Sequence, residues 1–237
     1  MKKKIMYSII IISIIIAIFT SVYMIINNDK KENNNKSSEY ALKFKKEYED
    51  LNGKKAYGDY KYKELNISED NPIMYSNYKE IINIISSKTG VIYFGFPDCP
   101  WCRNAVEVLL DSAKFNGVEE IYYLNIKDIR DNYEVVEGVL TKTTEAGEGY
   151  YELLETLDSI LEDYVVDGVN TGVKRLYAPT IVFVKNGEIV GSHVSTVELK
   201  DGQTAFDNLT KDQKQELEDI YNYYMEQTFN DYCTDAC

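Results

Sequence analysis

The spacing of apolar residues changes segment by segment along this chain, and each change predicts an element. From Ile5 to Ile26 the run is apolar and uncharged. Its 22 residues, at about 1.5 Å each, span roughly 33 Å, which matches a bilayer core. Lys2, Lys3 and Lys4 precede it, and it ends in Tyr23-Met24-Ile25-Ile26 without a small-residue cleavage pattern or a nearby cysteine for lipid attachment. The expectation is an uncleaved anchor over residues 1–26 with its N-terminus inside. The polar stretch 27–38 has nothing to bury and reads as a flexible stalk.

Folded sequence begins near Glu39. Tyr40, Phe44 and Tyr48 are four apart, predicting a short helix over 39–51 that stops at Asn52-Gly53. Tyr60 to Ile67 reads as a strand, and Tyr78, Ile81, Ile82 and Ile85 mark a helix ending at Gly90. Val91 to Phe96 is continuously apolar, as in a central strand buried on both faces. Cys102, Ala105, Val106, Leu109, Leu110 and Ala113 then hold helical spacing, and Ile121 to Ile126 is another strand. This β-α-β-α-β order predicts a parallel sheet covered by helices. Later, Asn186-Gly187 between Ile181–Val184 and Ile189–Val194 predicts a tight hairpin. Thr210 and Gln213 form a capping box ahead of Leu217, Ile220, Tyr221, Tyr224 and Met225 in a final helix.

Between Lys127 and Tyr177 the pattern predicts a helical insertion. Tyr150, Leu153, Leu154, Leu157, Ile160, Leu161 and Tyr164 lie on one face of an amphipathic helix, and Asp167-Gly168 through Thr171-Gly172 is a turn-rich exit. The domain so defined covers residues 39–229, with the insertion at about 127–177 and a cysteine-containing tail at 230–237.

Composition narrows the setting. The 237 residues hold 26 basic and 39 acidic side chains, a formal charge of −13, and the balance is more negative still without the three leading lysines. Such a surface repels phosphate backbones and argues against nucleic acid as a partner. The four cysteines fall in two pairs, Cys99/Cys102 and Cys233/Cys237, none in the apolar run. A paired, even set suits an oxidising compartment, which puts the domain on the extracytoplasmic side of the membrane.

Cys99-Pro100-Trp101-Cys102 carries the chemistry. Cys99 falls just before a helix, with Pro100 where the missing N–H is harmless, so its sulfur faces unpaired backbone N–H groups and the positive end of the helix dipole. That setting favours a thiolate, whereas Cys102 falls on the buried helix face. The reading is an exposed nucleophile, Cys99, and a buried resolving thiol, Cys102. Asp98 opposes the thiolate and Arg103 favours it. A structural disulfide or half of a zinc site uses the same spacing.

A strand, then Cys-x-x-Cys opening a helix, then Tyr177-Ala178-Pro179-Thr180 directly before Ile181-Val182-Phe183-Val184-Lys185-Asn186-Gly187-Glu188, resembles the thioredoxin superfamily. The resemblance implies a thioredoxin fold, a mixed central sheet flanked by helices, over roughly Tyr60 to Phe229 minus the insertion. It implies that Cys99 attacks, Cys102 resolves, and Pro179 forms a cis bond facing the pair, with Trp101, Ala178 and Pro179 contacting protein thiol or disulfide substrates. The activity implied is thiol–disulfide oxidoreductase, with no cofactor beyond the redox-active disulfide and no metal. The anchor, the insertion and the Tyr177–Thr180 context also look like the membrane-anchored thioredoxin-like proteins of Gram-positive bacteria, some labelled bacteriocin transport accessory proteins. An accessory or binding role in the export of secreted peptides is the second expectation.

Departures from the family bear on mechanism. Where cytoplasmic thioredoxins have a buried Asp six residues before the first cysteine, this chain has Tyr93, and Pro100-Trp101 replaces Gly-Pro. Strong oxidases have a histidine at the place of Trp101, so neither direction of electron flow is indicated. Ser195 stands where the family often has a glycine. Cys233 and Cys237 read as a local disulfide, a second exchanging dithiol, or an intermolecular or metal link. A four-cysteine zinc site would silence Cys99 as a nucleophile, and the proline before the strand argues against it. His193, the one histidine, reads as a strand residue rather than a base.

Overall fold

The computed structural model describes residues 18–20, 22–24 and 36–230. The expected anchor lies almost wholly outside them. Its few described residues are helical, and among the described residues no helix is long and apolar enough to cross a membrane. Cys233 and Cys237 also lie outside them.

Helix α1 occupies residues 36–49, starting slightly before the expected boundary. Strand β1 (Ile73–Tyr75), helix α2 (Tyr78–Ser87), strand β2 (Gly90–Gly95), helix α3 (Pro100–Phe115) and strand β3 (Ile121–Asn125) follow. The 127–177 region holds β4 (Asn132–Val136), β5 (Val139–Thr144), α4 (Tyr150–Thr156), β6 (Glu162–Val166) and β7 (Val169–Arg175). Strands β8 (Thr180–Lys185) and β9 (Glu188–Val194) and helix α5 (Lys211–Phe229) complete the chain.

Five strands form one mixed sheet in the order β1-β3-β2-β8-β9. The first three are parallel, and β8 joins β2 antiparallel, pairing Ile92 with Val182 and Phe94 with Thr180. Along β2, successive side chains alternate between two cores, as strand geometry requires. Val91 and Tyr93 meet α1, α3 and α5 through Phe44, Tyr48, Leu109, Leu217 and Tyr221. Ile92 and Phe94 meet α2 and α4 through Ile81, Ile84, Leu153 and Leu157. Each such fully buried side chain contributes about 1.5–3 kcal/mol.

Local signals hold most of these elements. Asn77 caps α2 by accepting from the Lys79 and Glu80 N–H groups while Glu80 reaches back to the Asn77 N–H. Thr210 and Gln213 cap α5 in the same reciprocal way. The β8–β9 turn puts Asn186 at φ 52° and Gly187 at φ 81°, as its sequence predicts.

Two expectations are corrected. Tyr60–Ile67 is not a strand of the sheet. Its inward residues Leu65 and Ile67 are buried, but its backbone is satisfied locally: the Leu65 N–H donates to Asn52 Oδ1 at 3.0 Å and the Ile67 N–H to Glu49 Oε1 at 2.7 Å. Anchoring to α1 produces the same alternation as a strand. The edge strand on this side of the sheet is Ile73–Tyr75, a three-residue strand directly after Pro72, too short for periodicity to reveal.

The insertion, expected to be helical, is largely β. Helix α4 stops at Thr156, and Leu161 to Tyr164 enters the hairpin β6–β7. A second hairpin, β4–β5, precedes α4. Both turn on two residues at positive φ, Glu137-Gly138 (50° and 81°) and Asp167-Gly168 (49° and 79°). Those dipeptides sit between Val-Val and Val, a hairpin signal that the apolar spacing of α4 overshadowed.

Candidate active site

The site forms where β2 ends and α3 begins. Cys99 is the N-cap of α3, with Pro100 in the first turn, so the sequence reading of this junction holds. The Cys102 N–H donates to Cys99 Sγ at 3.1 Å, so the helix terminus offers the sulfur a backbone donor. Both cysteines are free thiols.

Pro179 stands opposite. The Ala178–Pro179 peptide bond is cis, and the Cys99 thiol donates to the Ala178 carbonyl at 3.5 Å. Pro179 precedes β8, an interior strand, where the absent N–H breaks no ladder bond. Its carbonyl accepts from the Ser195 N–H at 2.8 Å. Ser195 itself sits at φ 68°, the left-handed region that favours glycine, which explains why a small residue belongs there.

One detail of the cysteine reading changes. Cys102 is fully buried as expected, but Cys99 is also only 5% exposed, because the Ala178 segment folds over it. Pro100, Trp101 and Ala178, all half-buried, frame the approach to the sulfur. Burial pushes the Cys102 thiol well up, the adjacent Cys99 adds to this, and the Phe96 backbone and the Tyr93 hydroxyl act the other way. Cys102 therefore holds its proton until Cys99 is engaged.

Behind Cys102 lies a group of tyrosines. The hydroxyls of Tyr93 on β2 and Tyr48 on α1 are 2.7 Å apart, and the Tyr93 and Tyr123 rings stack at 5.3 Å. Burial raises both the Tyr48 and Tyr93 hydroxyls well above the ordinary phenol range, so they stay protonated and act as hydrogen-bond partners, not as anionic bases. Among the described residues the Tyr221 hydroxyl is buried without a hydrogen-bond partner. Tyr93, six residues before Cys99, is thus a buried phenol that keeps its proton.

The charges around the pair also sort themselves. Asp98 is ion-paired with Lys127. Arg103 is fully buried and, among the described residues, has no carboxylate partner. Its Nε and Nη2 donate to the Lys63 carbonyl, its Nη1 to the Tyr48 and Pro97 carbonyls, and its Nη2 also to Asn52 Oδ1. These bonds lash the cysteine loop to the end of α1. The sequence flagged the charge of Arg103 but not this bracing.

The insertion adds a second charged group beside the site. Arg175 donates to the backbone carbonyl of Asp131, lies 3.5 Å from Asp131 Oδ1, and packs over the Tyr164 ring at 4.1 Å. Arg130 lies over the Phe96 ring, three residues before Cys99, at 5.0 Å. Neither arginine was singled out by sequence, since nothing local distinguishes them.

His193 is structural. Its Nε2 meets the Thr196 carbonyl at 3.1 Å and its ring packs edge-on to Tyr221. Among the described residues no cluster of His, Cys, Asp and Glu has the makings of a metal site. No protein-family model matches the sequence, and no curated protein matches it.

Proposed function

We propose that this chain is a membrane-tethered, extracytoplasmic thiol–disulfide oxidoreductase of the thioredoxin superfamily, exchanging disulfides with protein clients through Cys99 and Cys102. The observation that carries the reading is the contact between the Cys99 thiol and Ala178, the residue before the cis-proline. Sheet order, the helix-capping position of Cys99 and the contrast in surroundings of the two thiols support it. The apolar run at 5–26 and the paired cysteines support the membrane tether and the oxidising side.

The chemistry runs through a mixed disulfide. The Cys99 thiolate attacks one sulfur of a client disulfide, forms the Cys99–client bond, and expels the other client sulfur as a thiolate that takes a proton. Cys102 then gives up its proton, attacks Cys99 Sγ, and expels the second client thiol. Two electrons pass from the pair to the client, and the reverse sequence oxidises a client dithiol. An extended client segment lies along Ala178 and Pro179 beside Trp101. The reduction potential of the pair decides the direction.

The test is a trap. Full-length Cys102→Ser should accumulate client proteins disulfide-bonded to Cys99, and the Cys99→Ser/Cys102→Ser double variant should accumulate none. Insulin-disulfide reduction and dithiol-peptide oxidation should both disappear in Cys99→Ser. Equal activity in wild type and Cys99→Ser removes the catalytic reading.

One observation favours the accessory role in peptide export as the second reading. The hairpin turns of the insertion carry exposed valines, Val136 and Val139 on one and Val165 and Val169 on the other, from 39% to 64% exposed. In that role, Val139→Ser with Val169→Ser abolishes client capture while exchange with a small dithiol peptide continues. Undiminished capture rules it out.

A further inference from the structure

Two cations and one carboxylate stand together where the insertion meets the cysteine loop. Asp131 is wholly buried; Arg175 donates to its backbone carbonyl and lies 3.5 Å from its Oδ1, while neither carboxylate oxygen has a hydrogen-bond partner among the described residues. Arg175 also donates to Asn132 Oδ1 at 3.0 Å. Arg130 is left over. Among the described residues its guanidinium makes no hydrogen bond and no ion pair, and its Nε is buried without a partner.

A guanidinium carries five donors in a rigid fork, and a buried donor left unsatisfied is costly. In a chain of charge −13, an arginine without an acceptor is conspicuous. Of the carboxylates around the site, Asp98 is paired with Lys127 and Asp131 lies against Arg175. Phe96, whose ring carries Arg130, has its carbonyl 3.3 Å from the Cys99 backbone N–H. Burial lowers the ionisation of Arg130 and neighbouring Arg175 adds to this, while Tyr150, Cys99 and Cys102 act in the opposite sense.

We infer that Arg130 is a specificity-determining residue that receives a carboxylate of the client, an Asp or Glu side chain within about two to three extended residues of the client's reacting cysteine. This rests on the exchange reading above. The carboxylate completes the hydrogen bonding of Arg130 and fixes the register of the client along Ala178, so that its cysteine sulfur meets Cys99. The insertion thereby selects acidic clients on a scaffold whose cysteine chemistry is indifferent to sequence.

The probe is a set of three synthetic peptides with one cysteine capped as the mixed disulfide with thionitrobenzoate. They carry Asp, Asn or Lys two residues to either side of that cysteine. Attack by the Cys99 thiolate of the reduced full-length protein on the capped disulfide releases a coloured thiolate. With wild type the Asp peptide should react about three- to tenfold faster than the Asn peptide, and the preference should shrink with added salt. In Arg130→Gln the ratio should fall to about one, in Arg130→Glu the Lys peptide should become the fastest, and Arg130→Lys should keep part of the Asp preference.

An Asp-to-Asn ratio that is the same in wild type and Arg130→Gln overturns the inference while leaving exchange intact. Absence of any Cys99-dependent release, judged against Cys99→Ser, overturns the exchange reading and this inference with it. Thermal unfolding of each variant separates lost recognition from lost folding, and the sign reversal in Arg130→Glu is a result that unfolding cannot mimic.

Discussion

The hydroxyl oxygens of Tyr48 and Tyr93 lie 2.7 Å apart, joining α1 to the central strand β2 in the buried space beside Cys102. Each phenol satisfies the other, and the Tyr93 hydroxyl opposes the burial that keeps Cys102 protonated.

Tyr93→Phe should therefore do two things. It leaves the buried Tyr48 hydroxyl without a partner, at a cost of about 1–3 kcal/mol in urea unfolding. It also removes the one side-chain influence noted to favour the Cys102 thiolate, so a peptide–Cys99 mixed disulfide should resolve more slowly. Tyr48→Phe/Tyr93→Phe should recover part of the stability but none of the resolution rate. An unchanged mixed-disulfide lifetime in Tyr93→Phe would show that the hydroxyl is only structural.

Arg103→Lys should destabilise the fold by about 2–4 kcal/mol despite keeping the charge. One ammonium cannot span Lys63, Tyr48, Pro97 and Asn52, which the guanidinium bridges. Chemical denaturation measures this, and a loss below about 0.5 kcal/mol would mean that the bracing is dispensable.

Ser195→Gly should stabilise by about 0.5–1 kcal/mol. Relief of the left-handed backbone at φ 68° outweighs the added freedom of glycine in the unfolded chain. A lower melting temperature would contradict it.

Stability should also fall on mild acidification through His193. Burial holds its imidazole below the ordinary ionisation range, against the opposing pull of the Thr196 carbonyl and Glu216. The unfolded chain therefore takes up the proton first. Its contribution is fully present above about pH 6.5 and is lost as pH drops through that value toward the lower folded-state ionisation. His193→Gln should show a shallower decline between pH 7 and 5, and parallel curves for the two proteins would refute the assignment.

Much of this molecule is written in short-range patterns. The phase of α3, the cap at Cys99, the Asn186-Gly187 turn and the capping box of α5 each depend on residues within a few positions, and all are legible in the chain. The errors share a cause. Leu65 and Ile67 alternate as in a strand because they anchor to α1, and Tyr150 to Tyr164 keeps helical spacing across a helix end and a strand. Periodicity reports which side chains are inward, not which backbone partner satisfies them.

The sequence by itself determined that two thiols open a helix after a central strand, and that a proline precedes a later strand of the same domain. Tertiary structure alone decided what surrounds them. Cys99 is covered by a segment 79 residues away, Tyr93 meets a phenol 45 residues distant, and Arg175 donates to the carbonyl of Asp131 44 residues before it. Such partnerships arise because strand order and crossovers bring distant backbone together, and no local pattern of apolar and polar residues encodes which charge another has already claimed.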